Sequence, residues 1–130
     1  MAIKRVLNPE RVRKVPAQFS WVDHRLVRER YVERCDAPAL ALYLFLVTVA
    51  DAQGLSYYSD ASLVRRLSME VSRLCLARTT LIRAGLIAYQ RPLYQVLALD
   101  SPPVLTHEPE PAEIKARIEQ LRAALGRSTR

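Results

Sequence analysis

Seventeen of the chain's 20 basic side chains are arginine. A guanidinium presents five donors in a planar fork that fits a phosphate or the O6/N7 edge of guanine. Set against 13 carboxylates, the cations leave a formal net charge of +7 over 130 residues. The chemistry this predicts is the binding of an anion, nucleic acid first and an acidic membrane surface second. A GC-rich genome also produces an arginine- and alanine-rich chain without selection for binding, so position counts for more than the total. Residues 1–34 carry +5, residues 35–60 carry −3, residues 61–100 carry +4 and the remainder +1. The positive charge therefore falls in two blocks. One holds Lys4, Arg5, Arg11, Arg13 and Lys14; the other holds Arg65, Arg66, Arg73, Arg83 and Arg91.

Other chemistries find little to work with. Two Cys (Cys35, Cys75) and two His (His24, His107) stand at no metal-ligand spacing, so neither a metal nor a disulfide framework is expected. Cys75 shares an apolar helix flank with Val71 and Ile82 and reads as a buried structural thiol. Asp23 and His24 are adjacent, hence on different faces of a helix, and no nucleophile is spaced to meet them. Three glycines leave no room for a phosphate-cradling loop. Neither catalysis nor a cofactor is expected. The basic N-terminus lacks a following apolar stretch, so no signal peptide is read. The longest apolar run, residues 37–50, is too short to span a bilayer. A reducing cytoplasm, with association to the nucleoid, is the expected setting.

Several elements must position these side chains. Residues 1–18 contain two prolines and scattered charge, and are expected to form an extended arm. Its cations either track DNA phosphates or enter a minor groove, or they serve as a solubilising tail. Over residues 19–35, Trp21, Val22, Leu26, Val27 and Tyr31 recur at helical intervals. That predicts a short amphipathic helix docking its aromatic side chains on the core. Asp36 as N-cap, Pro38 in the first turn and Gly54 past the end frame a helix that is apolar nearly all round. Such a helix needs cover from more than one side, which the Trp21 region or a C-terminal helix can supply.

A short extended segment, LSYYSD, follows. Ser59 or Asp60 then caps a helix with Leu63, Val64 and Leu67 inward and Arg65 and Arg66 outward. Ser68 is expected to start the next helix, closed by Gly85. After Gly85 the period becomes that of strands, with a turn at Gln90-Arg91-Pro92, and a β-hairpin is expected. Tyr57, Tyr58, Tyr89 and Tyr94 read mainly as sheet-face or core packing rather than a stacking platform. The predicted fold is mainly α with a small β-hairpin, in the order α-β-α-α-β-β over residues 36–100, with the arm and helix before it and a helix after it.

That order, with the phrases ADAQGLSYYSDASLVRRLS and LIRAGLIAY, resembles the winged helix-turn-helix of bacterial DNA-binding proteins. It is similar in particular to the domains of plasmid and prophage replication initiators and MarR-like regulators. The resemblance covers about half the chain and implies double-stranded DNA as partner. It also implies a role in transcription regulation, or as an accessory of a mobile element in a larger replication or transposition complex. With Leu74 and Leu81 taken as the core side, a 100° step places Ser72, Leu76, Thr79 and Arg83 opposite, flanked by Arg73 and Thr80. The family reads bases mainly from the N-terminal half of this helix, which here means Ser72, Arg73 and Leu76. Arg65, Arg66, Arg91 and the arm would hold phosphates. Leu76 departs from the polar residue usual at its place. It can touch a thymine methyl, or it marks a surface for protein.

Residues 101–111 carry four prolines and read as a semi-rigid linker. Within 112–126, Ile114, Ile118, Leu121 and Leu125 form a two-heptad seam, too short to dimerise alone in water. The helix either folds back or adds to a homodimer or partner interface. Winged helices also serve as protein modules, so the competing expectation is an adaptor that grips another protein through Leu76 and this seam without reading DNA.

Overall fold

A computed structural model describes residues 3–99 and 111–128, the latter with side chains at 115–123. The described residues form a mixed α/β arrangement. It comprises α1 (Arg25–Arg28), α2 (Ala37–Val49), β1 (Leu55–Tyr57), α3 (Asp60–Leu67), α4 (Val71–Arg83), β2 (Ile87–Gln90), β3 (Leu93–Val96) and α5 (Pro111–Ser128). The chain divides after Leu99, and α5 belongs to a separate unit.

α2 is the centre of the first unit. Asp36 sits in extended backbone and its carboxylate accepts from the Ala39 N–H, giving one orphan donor of the helix start a partner. Ala39, Leu42, Tyr43, Leu46 and Val47 are buried. α2 packs against α4, which turns in Leu74, Ala77 and Leu81, and against β3, which turns in Tyr94. Leu26 of α1 adds to this cover, but Leu44 is 62% and Trp21 73% exposed, so the Trp21 region does not close the far side of α2 as expected. The three strands make an antiparallel sheet in the order β1-β3-β2, with Tyr57 opposite Leu93 and Gln90 opposite Leu93 on the other side. Helix, strand, two helices and a hairpin in this order are compatible with a winged-helix arrangement.

Several expectations are corrected. The segment 19–35 is not one amphipathic helix. It holds only the four residues of α1 and a 3-10 turn at Val32–Arg34, because Arg30 adopts φ 63 and breaks the helical path. Nor do its aromatics dock together. Tyr31 packs on the core, whereas Trp21 is 73% and Phe19 64% exposed. Asp23 spends its carboxylate locally, accepting from the Arg25 guanidinium and backbone N–H; these hold its carboxyl down at about 2.

α2 ends at Val49, four residues before the break that Gly54 suggested. Asp51 makes the difference: its side chain accepts from the N–H groups of Gln53 and Leu55, and its carbonyl from Gly54. Gly54, at φ +85, serves this turn, and its carbonyl accepts from Val96 at 2.8 Å. Ser68 does not start α4. It closes α3 in the left-handed region at φ 51, and α4 begins after the extended Glu70. Cys75 is exposed rather than buried, because α4 turns its Leu74–Ala77–Leu81 face inward and leaves Val71, Cys75 and Ile82 outside.

Candidate nucleic-acid interface

The interface is built on α3, a three-residue turn and α4. Ser59 accepts from the Ser62 N–H and fixes the start of α3. The left-handed Ser68 lets the Met69 N–H reach the Val64 carbonyl, ending α3 within one residue and turning the chain towards α4. Leu63 and Leu74 then lie in one buried cluster, so the pair of helices is held by core packing. With its three inward positions fixed, most of the remaining α4 side chains face solvent. Ser72, Arg73, Leu76, Thr79 and Arg83 are exposed and Thr80 partly so.

The predicted phosphate positions are exposed too: Arg65 and Arg66 on α3, Arg91 in the turn between β2 and β3, and Lys4, Arg5, Arg11, Arg13 and Lys14 in the arm. None of these cations pairs with a carboxylate among the described residues. An exposed guanidinium with no internal partner keeps its donors for an external anion.

No family model, curated protein or solved structure matches this chain.

The threonines are less free than their exposure suggests. Thr79 Oγ1 donates to the Cys75 carbonyl at 3.0 Å and Thr80 Oγ1 to the Leu76 carbonyl at 2.9 Å. Each hydroxyl proton is thus spent on the helix's own backbone. In this rotamer the oxygens are acceptors, suited to an amino group on a base edge and not to a phosphate. Their methyl groups and Leu76, which is 68% exposed, add apolar surface of the kind a thymine methyl meets.

Two residues to which the sequence assigns no role matter here. Glu70, exposed at the N-cap position of α4 and making no side-chain cap bond, puts a negative charge at the helix start, where it suits the helix N-terminus and opposes a close phosphate. Arg78 shares the spacing of five with Arg73 and Arg83 but turns inward. Its Nε donates to the Tyr94 hydroxyl at 3.0 Å, a terminal nitrogen donates to the Asp60 carboxylate, and its guanidinium lies 4.3 Å from the Tyr89 ring centroid. Arg78 thereby ties α4 to the start of α3 and to both strands of the hairpin. The only signal for it in sequence was its place at the border between the buried and exposed arcs of α4.

In α5, Ile118 and Leu121 are exposed. The side chains of Ile114 and Leu125, and the linker at 101–110, lie outside the described residues. Among the described residues no helix is long and apolar enough to cross a membrane.

Proposed function

We propose that this chain is a winged helix-turn-helix protein that binds double-stranded DNA through α4 and has no catalysis of its own. What carries the reading is the outward face of α4. Ser72, Arg73, Leu76, Thr79 and Arg83 stand in solvent, flanked on α3 and the hairpin turn by the exposed Arg65, Arg66 and Arg91. In this reading α4 enters a major groove. Arg73 takes guanine, the threonine oxygens accept from base amino groups, and the flanking arginines neutralise phosphates. The similarity to initiator and MarR-like domains extends the proposal to transcription regulation, or to an accessory role in replication or transposition of a mobile element. A homodimer held through α5 would give the two half-sites usual for such domains.

Anisotropy of a labelled duplex, titrated at several salt concentrations, tests it. The expected result is an affinity that falls steeply with salt, by about 0.9 in log–log slope for each phosphate neutralised. Arg73→Ala should cost about tenfold or more, and Leu76→Asp at least as much. Absence of duplex binding at low salt, or indifference to both substitutions, would sink the reading.

A second reading is favoured by one observation. Leu76, Val71 and Ile82 leave three large apolar side chains in water on a single helix. On that reading α4 docks a protein partner and the charge is incidental. It predicts that Leu76→Asp abolishes partner binding while Arg73→Ala leaves it unchanged.

A further inference from the structure

Two exposed aromatic side chains stand close together in the segment that leads into α1. Phe19 and Trp21 are out in water, as is Val22 beside them. They are not carried on a free tail. Between them the Ser20 hydroxyl donates to the Thr48 carbonyl in the last turn of α2 at 3.2 Å. Just beyond, Asp23 brackets Arg25 and Leu26 is buried in the core. The two rings are therefore presented at a fixed place, with anchors between and after them.

What precedes them is cationic. Arg11, Arg13 and Lys14 are all exposed, and none pairs with a carboxylate among the described residues. An occupant that satisfies both features must be an anion that also offers flat apolar faces. Duplex DNA offers phosphates but keeps its bases stacked on each other. An anionic bilayer offers both, but a segment that lies in a bilayer surface usually does so as an amphipathic helix. Residues 12–16 and 19–23 carry no helix, and Pro16 blocks a continuous one from Val12 to Phe19. An unpaired nucleic-acid strand fits what remains. Its phosphates can follow an extended run of cations, and its bases can stack on aromatic rings irrespective of sequence. Phe19 and Trp21 are two residues apart, so their Cα atoms lie within ~7 Å, a spacing that lets neighbouring bases take one ring each.

We infer that Phe19 and Trp21, with Arg11, Arg13 and Lys14 before them, form a binding site for single-stranded nucleic acid, separate from the α4 face. Strand opening beside a duplex site is one setting in which both would be used, but the site does not depend on the α4 reading.

Trp21 is the only tryptophan in the chain, so its emission, excited beyond the tyrosine band, reports this site alone. The full chain is titrated with an oligothymidylate strand, with a duplex of equal length, and with vesicles of phosphatidylcholine and phosphatidylserine. The expected result is quenching of Trp21 by the single strand and little change with duplex or vesicles. In anisotropy with a labelled strand, Phe19→Ala and Trp21→Ala should each weaken binding by about tenfold or more. Both side chains are exposed, so circular dichroism should show both variants folded. Three results overturn the inference: no quenching by the strand, an equal or larger response to duplex or vesicles, or unchanged strand affinity in both variants. Arg73→Ala and Leu76→Asp should leave the quenching intact, which keeps a failure of the α4 reading distinguishable from a failure here.

Discussion

Arg78 shows how much one side chain's direction decides. Its neighbours at a spacing of five, Arg73 and Arg83, face water, while Arg78 meets a phenol, a carboxylate and an aromatic face. Replacing it with Leu leaves the buried Tyr94 hydroxyl without its donor and Asp60 without its cation. Urea unfolding should show a loss of about 2 kcal/mol, since hydrogen bonds to charged groups are worth ~1.5–3 kcal/mol. Arg73→Ala should leave stability within about 0.5 kcal/mol, as an exposed substitution does. Tyr94 also sets a pH dependence, through its burial and against the pull of Arg78, which lowers its pKa. Burial raises the Tyr94 phenol from 10.0 to about 12. A group whose pKa is raised on folding contributes stability that is complete below its unfolded value and lost as pH climbs through the folded one. The fold should therefore weaken between about pH 10 and 12, and Tyr94→Phe should flatten that decline in an alkaline unfolding series. None of this was legible in the letters. Arg73, Arg78 and Arg83 are the same residue type, and only the position of the strands decides which one finds a phenol.

At the scale of elements, the starts of α2 and α3 and the close of α4 before Gly85 were readable, whereas the end of α2 and the start of α4 were not. Asp36 and Ser59 cap α2 and α3 through contacts spanning three residues, a reach that sequence displays directly. Glycine signals a positive φ but not its purpose. Gly54 was read as closing α2, whereas it belongs to the Asp51 turn, where a Cβ would stand 2.6 Å from the Val96 carbonyl oxygen. Gly85 also has a positive φ, at +75, but open space around it. The pair makes a controlled test. Gly85→Ala should cost about 1 kcal/mol for backbone strain alone, and Gly54→Ala about 3 kcal/mol, because strain and a backbone clash combine. Equal losses in denaturant melts would mean that β3 yields to the methyl group. The helix expected over residues 19–35 failed for a related reason. Its periodicity was present, but Arg30 took a left-handed conformation and left a single turn.

At the scale of the whole molecule, the order helix, strand, helix, helix, hairpin was visible in the alternation of caps, apolar faces and turn residues. That short β1 pairs with β3, joining the expected first strand and hairpin into one sheet, depends on partners some 40 residues apart along the chain. The candidate site was legible as a face. Ser72, Leu76, Thr79 and Arg83 are outward as the 100° step placed them, since three inward leucine and alanine positions leave the helix no other orientation. The hydrogen state of the threonines was not legible, because it is set by backbone carbonyls. The role proposed for α5 belongs to this scale. If its Ile118 and Leu121 side join two copies, removing residues 112–130 should halve the mass measured by light scattering while leaving the melt of the remaining unit unchanged. An unaltered mass would exclude that role.

The central position of α2 has a consequence for how the molecule breathes. The face of its middle turns that carries Leu42, Tyr43, Leu46 and Val47 is packed against α4, β3 and Leu26, so these hydrogen-bonded amides should open to solvent only when the whole unit unfolds. In deuterium exchange, peptides covering Leu42 to Val47 should be the last to gain mass and should do so at a rate set by global stability. Residues 3–22, all exposed, should exchange at once. Fast uptake at Leu42 to Val47 would mean that α2 parts from α4 without global unfolding, and the outward face of α4 would then be presented by a loosened support.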